Sequence, residues 1–262
     1  MKKIPLHRLI LWVFMGGLAL VISYFVLFPQ VWYCQWIDFS GFKKVNQHLY
    51  ISAKTPQRHL DKTNESIKEA RQRITRLWGV PQGNAVVILC ESTEEYYQYC
   101  HSSEGAGCSI GTPWGTSFII LNLDGLNVDV IAHEMCHDEL FTRLGWWTTT
   151  RQIPQWFNEG LALMVDERFV STTDSIQRYQ AYKEACLSVS RGGQMVLDLD
   201  EISSMKGFFD GNETHVILAY MTAGTEVSRW LTNAERKQVP LLISRIKAGE
   251  SFEDIYRRLD KD

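Results

Sequence analysis

Apolar and polar positions alternate in three distinct rhythms along the 262 residues. Residues 9–28, LILWVFMGGLALVISYFVLF, are continuously apolar and uncharged, and as a helix they are long enough to cross a hydrocarbon core of roughly 30 Å. Residues 29–60 show no period and read as an irregular linker leading into a short strand at 48–52. From 64 to 78, Ile67, Ala70, Ile74 and Leu77 recur at helical spacing after polar capping candidates, with Gly79 as a stop. Residues 85–90 and 117–123 are short β-branched apolar runs bounded by Gly, Pro and polar residues, and both predict strands. Helical spacing returns from 126 to 144. A loop is expected from 146 to 154, a helix from 155 to about 165, and mainly helical segments thereafter. Strands with a helix first, then helices, predict an α+β domain with a cleft where the two parts meet.

Composition narrows this picture. A net charge of −3 with 45% hydrophobic residues supplies a core, and the cationic stretch from Arg71 to Arg76 reads as a solvated helix face, so nucleic acid is not expected as a partner. Lys2, Lys3 and Arg8 precede the apolar run and predict a cytoplasmic tail over 1–8, with everything after Phe28 across the membrane. A cleaved signal peptide is the rival reading, but the run is long for one and FPQVWYCQW offers no small-x-small cleavage site. Cys34 follows bulky Val31, Trp32 and Tyr33, which disfavours a lipid-attachment site. Cys100 and Cys108 flank the loop HSSEGAG. They either close it as a disulfide in an oxidising compartment or remain free thiols, as Cys90, Cys136 and Cys186 are expected to.

The chemistry sits in the 126–144 segment. His133-Glu134-Met135-Cys136-His137 is an HExxH pattern, whose spacing places both imidazoles on one helix face a turn apart, where they can grip one Zn2+. Glu134, about 100° round the helix from His133, can take a proton from a zinc-bound water. Five charged residues on this segment, Asp129, Glu134, Asp138, Glu139 and Arg143, place it outside lipid. A catalytic zinc has three protein ligands and an open position. The third candidate is Glu159, one carboxylate among the apolar neighbours of PQWFNEGLA, where a charge is costly without a partner.

HExxH followed some twenty residues later by WFNEGLA resembles the gluzincin metallopeptidases, in particular the compact peptidase MA-like group. The resemblance is specific for residues 128–166. It implies a zincin-like fold over 48–262 after a linker at 29–47, a hydrolase acting on peptide or protein substrates, metal ligands His133, His137 and Glu159, and Glu134 as general base. It also implies an oxyanion donor on a later helix, for which Tyr220 in HVILAYMTAG is the candidate and His215 the alternative. The Gly-rich loop 111–115 leads into the strand at 117–123, which takes the place of the edge strand that pairs with an extended peptide in zincins. One departure stands out: Leu163 occupies the position where thermolysin-like members carry an Asp four residues beyond the ligand Glu. Asp129, Asp138 and Asp166 are then candidates for orienting the histidines, solvent-facing charge being the alternative for each. With the anchor, the expected site of action is the periplasmic face of a bacterial inner membrane. The competing functional class is a non-catalytic, membrane-tethered binding protein that keeps the fold.

Overall fold

The computed structural model describes residues 6–102, 105–232 and 238–260; Lys2 and Lys3, with most of the tail at 1–8, lie outside the described residues. Helix α1 (Leu6–Leu27) contains an 18-residue apolar stretch, Ile10–Leu27, in which no residue is buried by the rest of the chain and Tyr24 and Phe25 are partly covered. By length and composition it can be a single membrane span or a signal sequence.

The segment expected to be an irregular linker is largely ordered. Helix α2 (Pro29–Gln35) follows after a single residue, a 3-10 turn covers Ile37–Phe39, and strand β1 (Lys43–Asn46) pairs antiparallel with β2 (Leu49–Ile51). Val31 and Cys34 turn one side of α2 into the domain. That anchoring comes from tertiary burial, and no local period announces it.

Helix α3 (Gln57–Trp78) begins seven residues before the predicted start; residues 57–63 are mostly polar and carry no apolar period, and Thr63 alone of them joins the buried stripe Ser66, Ala70, Ile74 and Trp78. It stops at Gly79, whose φ of 74° suits glycine. Arg73 departs from the solvated-face reading, since its guanidinium is nearly buried and bonds Asp129 at 2.6 Å.

Strand β3 (Val86–Leu89), helix α4 (Thr93–Cys100), strand β4 (Gly107–Gly111) and strand β5 (Ser117–Leu121) complete a five-stranded mixed sheet in the order β1-β2-β3-β5-β4. The β2, β3 and β5 strands are parallel, while β1 and β4 run antiparallel at the two edges. The expectation that the strand starting at Ser117 forms the edge is therefore corrected. Ser117–Leu121 is buried on both faces, and β4 is the edge. Ile119 and Leu121 pack with α3 and helix α5 (Val128–Leu144), whereas Phe118 and Ile120 pack with Cys34, Tyr96 and Tyr99 beneath α2 and α4. A disulfide joins Cys100 at the end of α4 to Cys108 in β4.

Asn127 caps α5 by accepting from the Val130 amide at 3.0 Å, and Gly145 ends it. The expected loop at 146–154 holds helix α6 (Trp146–Gln152). Three consecutive threonines disfavour that helix locally, but buried Thr149 donates to the Leu140 carbonyl and ties it to α5. Helices α7 (Gln155–Leu163), α8 (Ser175–Val189), α9 (Met205–Phe209), α10 (Glu213–Thr232), α11 (Gln238–Lys247) and α12 (Phe252–Leu259) form the C-terminal part. The architecture is α+β, with sheet and α3 preceding a mainly helical half.

Candidate metal centre

Helix α5 carries His133, Glu134 and His137 on a buried turn, and α7 brings Glu159 to them. Nearly every residue of α7 is buried. Its depth depends on Gly160: a Cβ there would fall 2.5 Å from Val227 Cγ2 and 2.7 Å from the Ala223 carbonyl of α10. Backbone contact on one side of α7 thus presses the adjoining Glu159 toward the histidines.

His133 Nε2 lies 3.1 Å from Glu159 Oε2, and His137 Nε2 lies 3.6 Å from Glu159 Oε1. Among the described residues these three side chains form a buried set whose donor atoms all lie within 4.8 Å of one another. Each ring is held by its other nitrogen. His133 Nδ1 is 3.2 Å from Asp166 Oδ2, and His137 Nδ1 is 2.9 Å from Asn158 Oδ1. Those acceptors favour a proton on Nδ1 of each ring, so a ring in its neutral form presents Nε2 toward Glu159. Gln155 donates to Glu159 Oε1 at 2.7 Å, and Arg168 braces Asp166 through Nε and Nη2.

Charge in this space is unbalanced. Burial opposes a charged His133, but its hydrogen bonds to Asp166 and Glu159, with the charges of Glu159 and Glu134, outweigh burial and raise it to about 10. Burial would raise Glu159, yet His137 and His133 pull it below the usual carboxylate range. Asp166 is held at about 2 against burial by His133 and Arg168. The carboxylates thus favour positive charge at His133, and a proton or a metal cation can supply it. Two neutral nitrogens plus one carboxylate oxygen make the donor set that suits zinc and leaves a fourth position open.

Glu134 is buried, and Ser109 Oγ sits 2.7 Å from its Oε2 and 3.0 Å from its backbone carbonyl. Strand β4 comes close enough for this because Gly107 and Gly111 lie against α5; a Cβ at Gly107 would meet Val130 at 2.8 Å, and one at Gly111 would meet Phe141 at 2.9 Å. Tyr220 on α10 presents its ring edge-on to His133, with centroids 6.5 Å apart, and is packed by Phe208 and Phe169. Burial and the charges of Glu159 and Glu134 push its phenol well above its usual value, so it stays protonated and able to donate. His215, the alternative, directs Nε2 to the Gly207 carbonyl at 2.8 Å.

Of the three aspartates considered for orienting the histidines, Asp166 alone bonds a ring, three residues beyond Leu163. Asp138 binds the Ala85 amide and Ser117, and Asp129 binds Arg73 and the Glu167 amide. Solvent-facing charge describes none of these contacts. Asn158, Gln155, Arg168 and Ser109 were not singled out from sequence. Asn158 sits inside the WFNEGLA segment and is visible there as the residue next to Glu159. Ser109 is 25 positions from its partner, and no local pattern marks it. Comparison with family models finds no matching family, and comparison with curated proteins finds no match.

Proposed function

We propose that the chain is a membrane-anchored, zinc-dependent peptide hydrolase of the gluzincin type, with a zincin-like, peptidase MA-like domain on the periplasmic side of the inner membrane. The observation that carries the reading is the convergence of His133, His137 and Glu159 within 4.8 Å. Held there, zinc would supply Lewis acidity toward a water and a scissile carbonyl.

The remaining steps belong to side chains. Ser109 fixes Glu134 Oε2, and the other oxygen, Oε1, takes the proton of the attacking water and returns it to the leaving amine. Tyr220 donates its phenolic hydrogen to the tetrahedral oxyanion. An extended substrate adds to the free edge of β4, where backbone pairing sets it alongside Glu134. The apolar α1 supports anchoring, and the Cys100–Cys108 disulfide supports an oxidising compartment.

The test is to load full-length protein with zinc in detergent and present a peptide mixture to wild type and Glu134→Ala. Cleavage by wild type, lost in the variant while zinc is retained, is expected. Zinc binding with no cleavage that depends on Glu134 would instead favour a tethered binding protein.

A further inference from the structure

Helix α2 carries apolar side chains on two sides, bordered by Gln30 and Gln35, and only one of those sides is covered. Val31 and Cys34 pack into the domain, whereas Trp32, Tyr33 and, just beyond the helix, Trp36 face outward and are about half exposed. Phe39 continues this surface at 81% exposure, and half-exposed Phe28 joins α2 to α1. Aromatic rings left uncovered on a helix in water are poorly placed, since their exposed area gains nothing from the fold.

These rings are continuous with the end of α1. Phe25 meets Trp32 at 5.2 Å between centroids, Trp32 meets Trp36 at 5.3 Å, and Trp36 meets Phe39 at 5.3 Å. Trp114, at the tip of the turn joining β4 to β5, reaches the same cluster from a different part of the domain. Its ring lies 5.8 Å from Tyr24, and its Nε1 donates to Gln35 at 3.1 Å. Tryptophan and tyrosine with an apolar body and a polar tip favour the headgroup level of a bilayer.

We propose that α2, Phe39 and Trp114 form one interfacial surface that lays the domain against the bilayer crossed by α1, so that the occupant of this apolar face is the lipid headgroup region. The inference rests on reading α1 as a retained span. It has a consequence for substrate class. Trp114 is five positions along the chain from Ser109, across the end of β4 and the turn after it, a reach of at most about 17 Å, so the edge of β4 beside Glu134 lies near the headgroups. A peptide paired along β4 has one end at the membrane surface, which fits chains tethered to the same membrane better than free peptides.

Full-length protein in nanodiscs, with lipids brominated near the headgroup end of the acyl chain, tests the surface by tryptophan quenching. Each site is read as the emission lost on changing that tryptophan to Phe. Contributions of Trp32, Trp36 and Trp114 should fall at least about twofold, while Trp147, exposed on α6, should be unaffected. Trp12, within the span, is read with lipids brominated deeper in the chain. Quenching at Trp12 without quenching at Trp36 and Trp114 overturns the surface and leaves the anchor standing. No quenching at Trp12 removes the anchor and the surface together, and equal quenching at Trp147 also overturns the proposal.

The substrate class is read with β-casein coupled to the nanodisc lipids. Cleavage by wild type should exceed that by a Trp32→Ser, Trp36→Ser, Trp114→Ser triple variant by about tenfold, since both keep α1 and hence the same local concentration. Equal rates overturn the tethered-substrate assignment. Absence of any Glu134-dependent cleavage overturns it together with the hydrolase reading, while the quenching result stands by itself.

Discussion

Two pairs of buried carboxylates meet helix α5, and they are buried to almost the same degree: Asp138 and Glu139 are 3% and 1% exposed, Glu159 and Asp166 4% and 1%. Their partners differ. Asp138 accepts from the Ala85 amide, Ser117 and Thr142, and Glu139 from the Gln82 and Gly83 amides and Arg143. These donors stitch α5 to the 82–85 loop and to β5. Glu159 and Asp166 instead face imidazoles whose own charge is open to exchange. Asp138 and Asp166 shift in opposite directions, burial raising Asp138 and His133 and Arg168 holding Asp166 at about 2 against burial. Burial alone thus does not mark a cation site. A carboxylate facing imidazole nitrogens is the better candidate for one.

The sharpest break of that comparison is chemical. Glu134→Gln should lower kcat by about 10³-fold with zinc content unchanged, measured by steady-state cleavage and metal analysis; an equal loss of zinc would make Glu134 a ligand.

Next come the two glutamates. Glu139→Ala should cost about 3 kcal/mol in denaturant unfolding and leave zinc affinity intact, because it strands Arg143 and two amides. Glu159→Gln should weaken zinc by more than about 100-fold, beyond the range for residues one step removed from a metal. If both variants lose zinc equally, the two regions are not distinct.

Asp166→Asn should weaken zinc by about 10- to 100-fold. In metal-free protein it should also lower stability at pH 7 by about 2 kcal/mol. The folded value of Asp166 is depressed, so its contribution is present above about pH 4 and fades as pH falls toward 2. Unfolding curves of wild type and variant at several pH values check this, and a gap that persists at pH 2 would contradict it. Smallest is Ser109→Ala, for which about a tenfold lower kcat with unchanged zinc is expected from losing one hydrogen bond to a charged group.

Most elements of the sheet and the motif helix were legible because their signal is local. Runs such as Val86–Leu89 and Ser117–Leu121 are β-branched or aromatic and sharply bounded, and α5 has a cap, a period and a glycine stop. Neither edge strand was legible: β1, Lys-Lys-Val-Asn, is mostly polar, and β4, Gly-Cys-Ser-Ile-Gly, lacks strand character and forms by lying on α5 where glycine allows it. The first turns of α3 are mostly polar and carry no apolar period, and α6, two tryptophans followed by three threonines, is held by Thr149 against the Leu140 carbonyl of α5. At the site, the i,i+4 histidines and the isolated acid of WFNEGLA could be read directly. Asp166 was one of three equal candidates until α7 ended at Leu163 and turned it back onto His133.

Zinc per chain, titrated in full-length wild type and in Glu159→Gln under the same competing chelator, tests the centre most directly. One tightly held zinc in wild type and its loss in the variant is the predicted result. No zinc in wild type, or equal retention in both proteins, would contradict a centre built from α5 and α7.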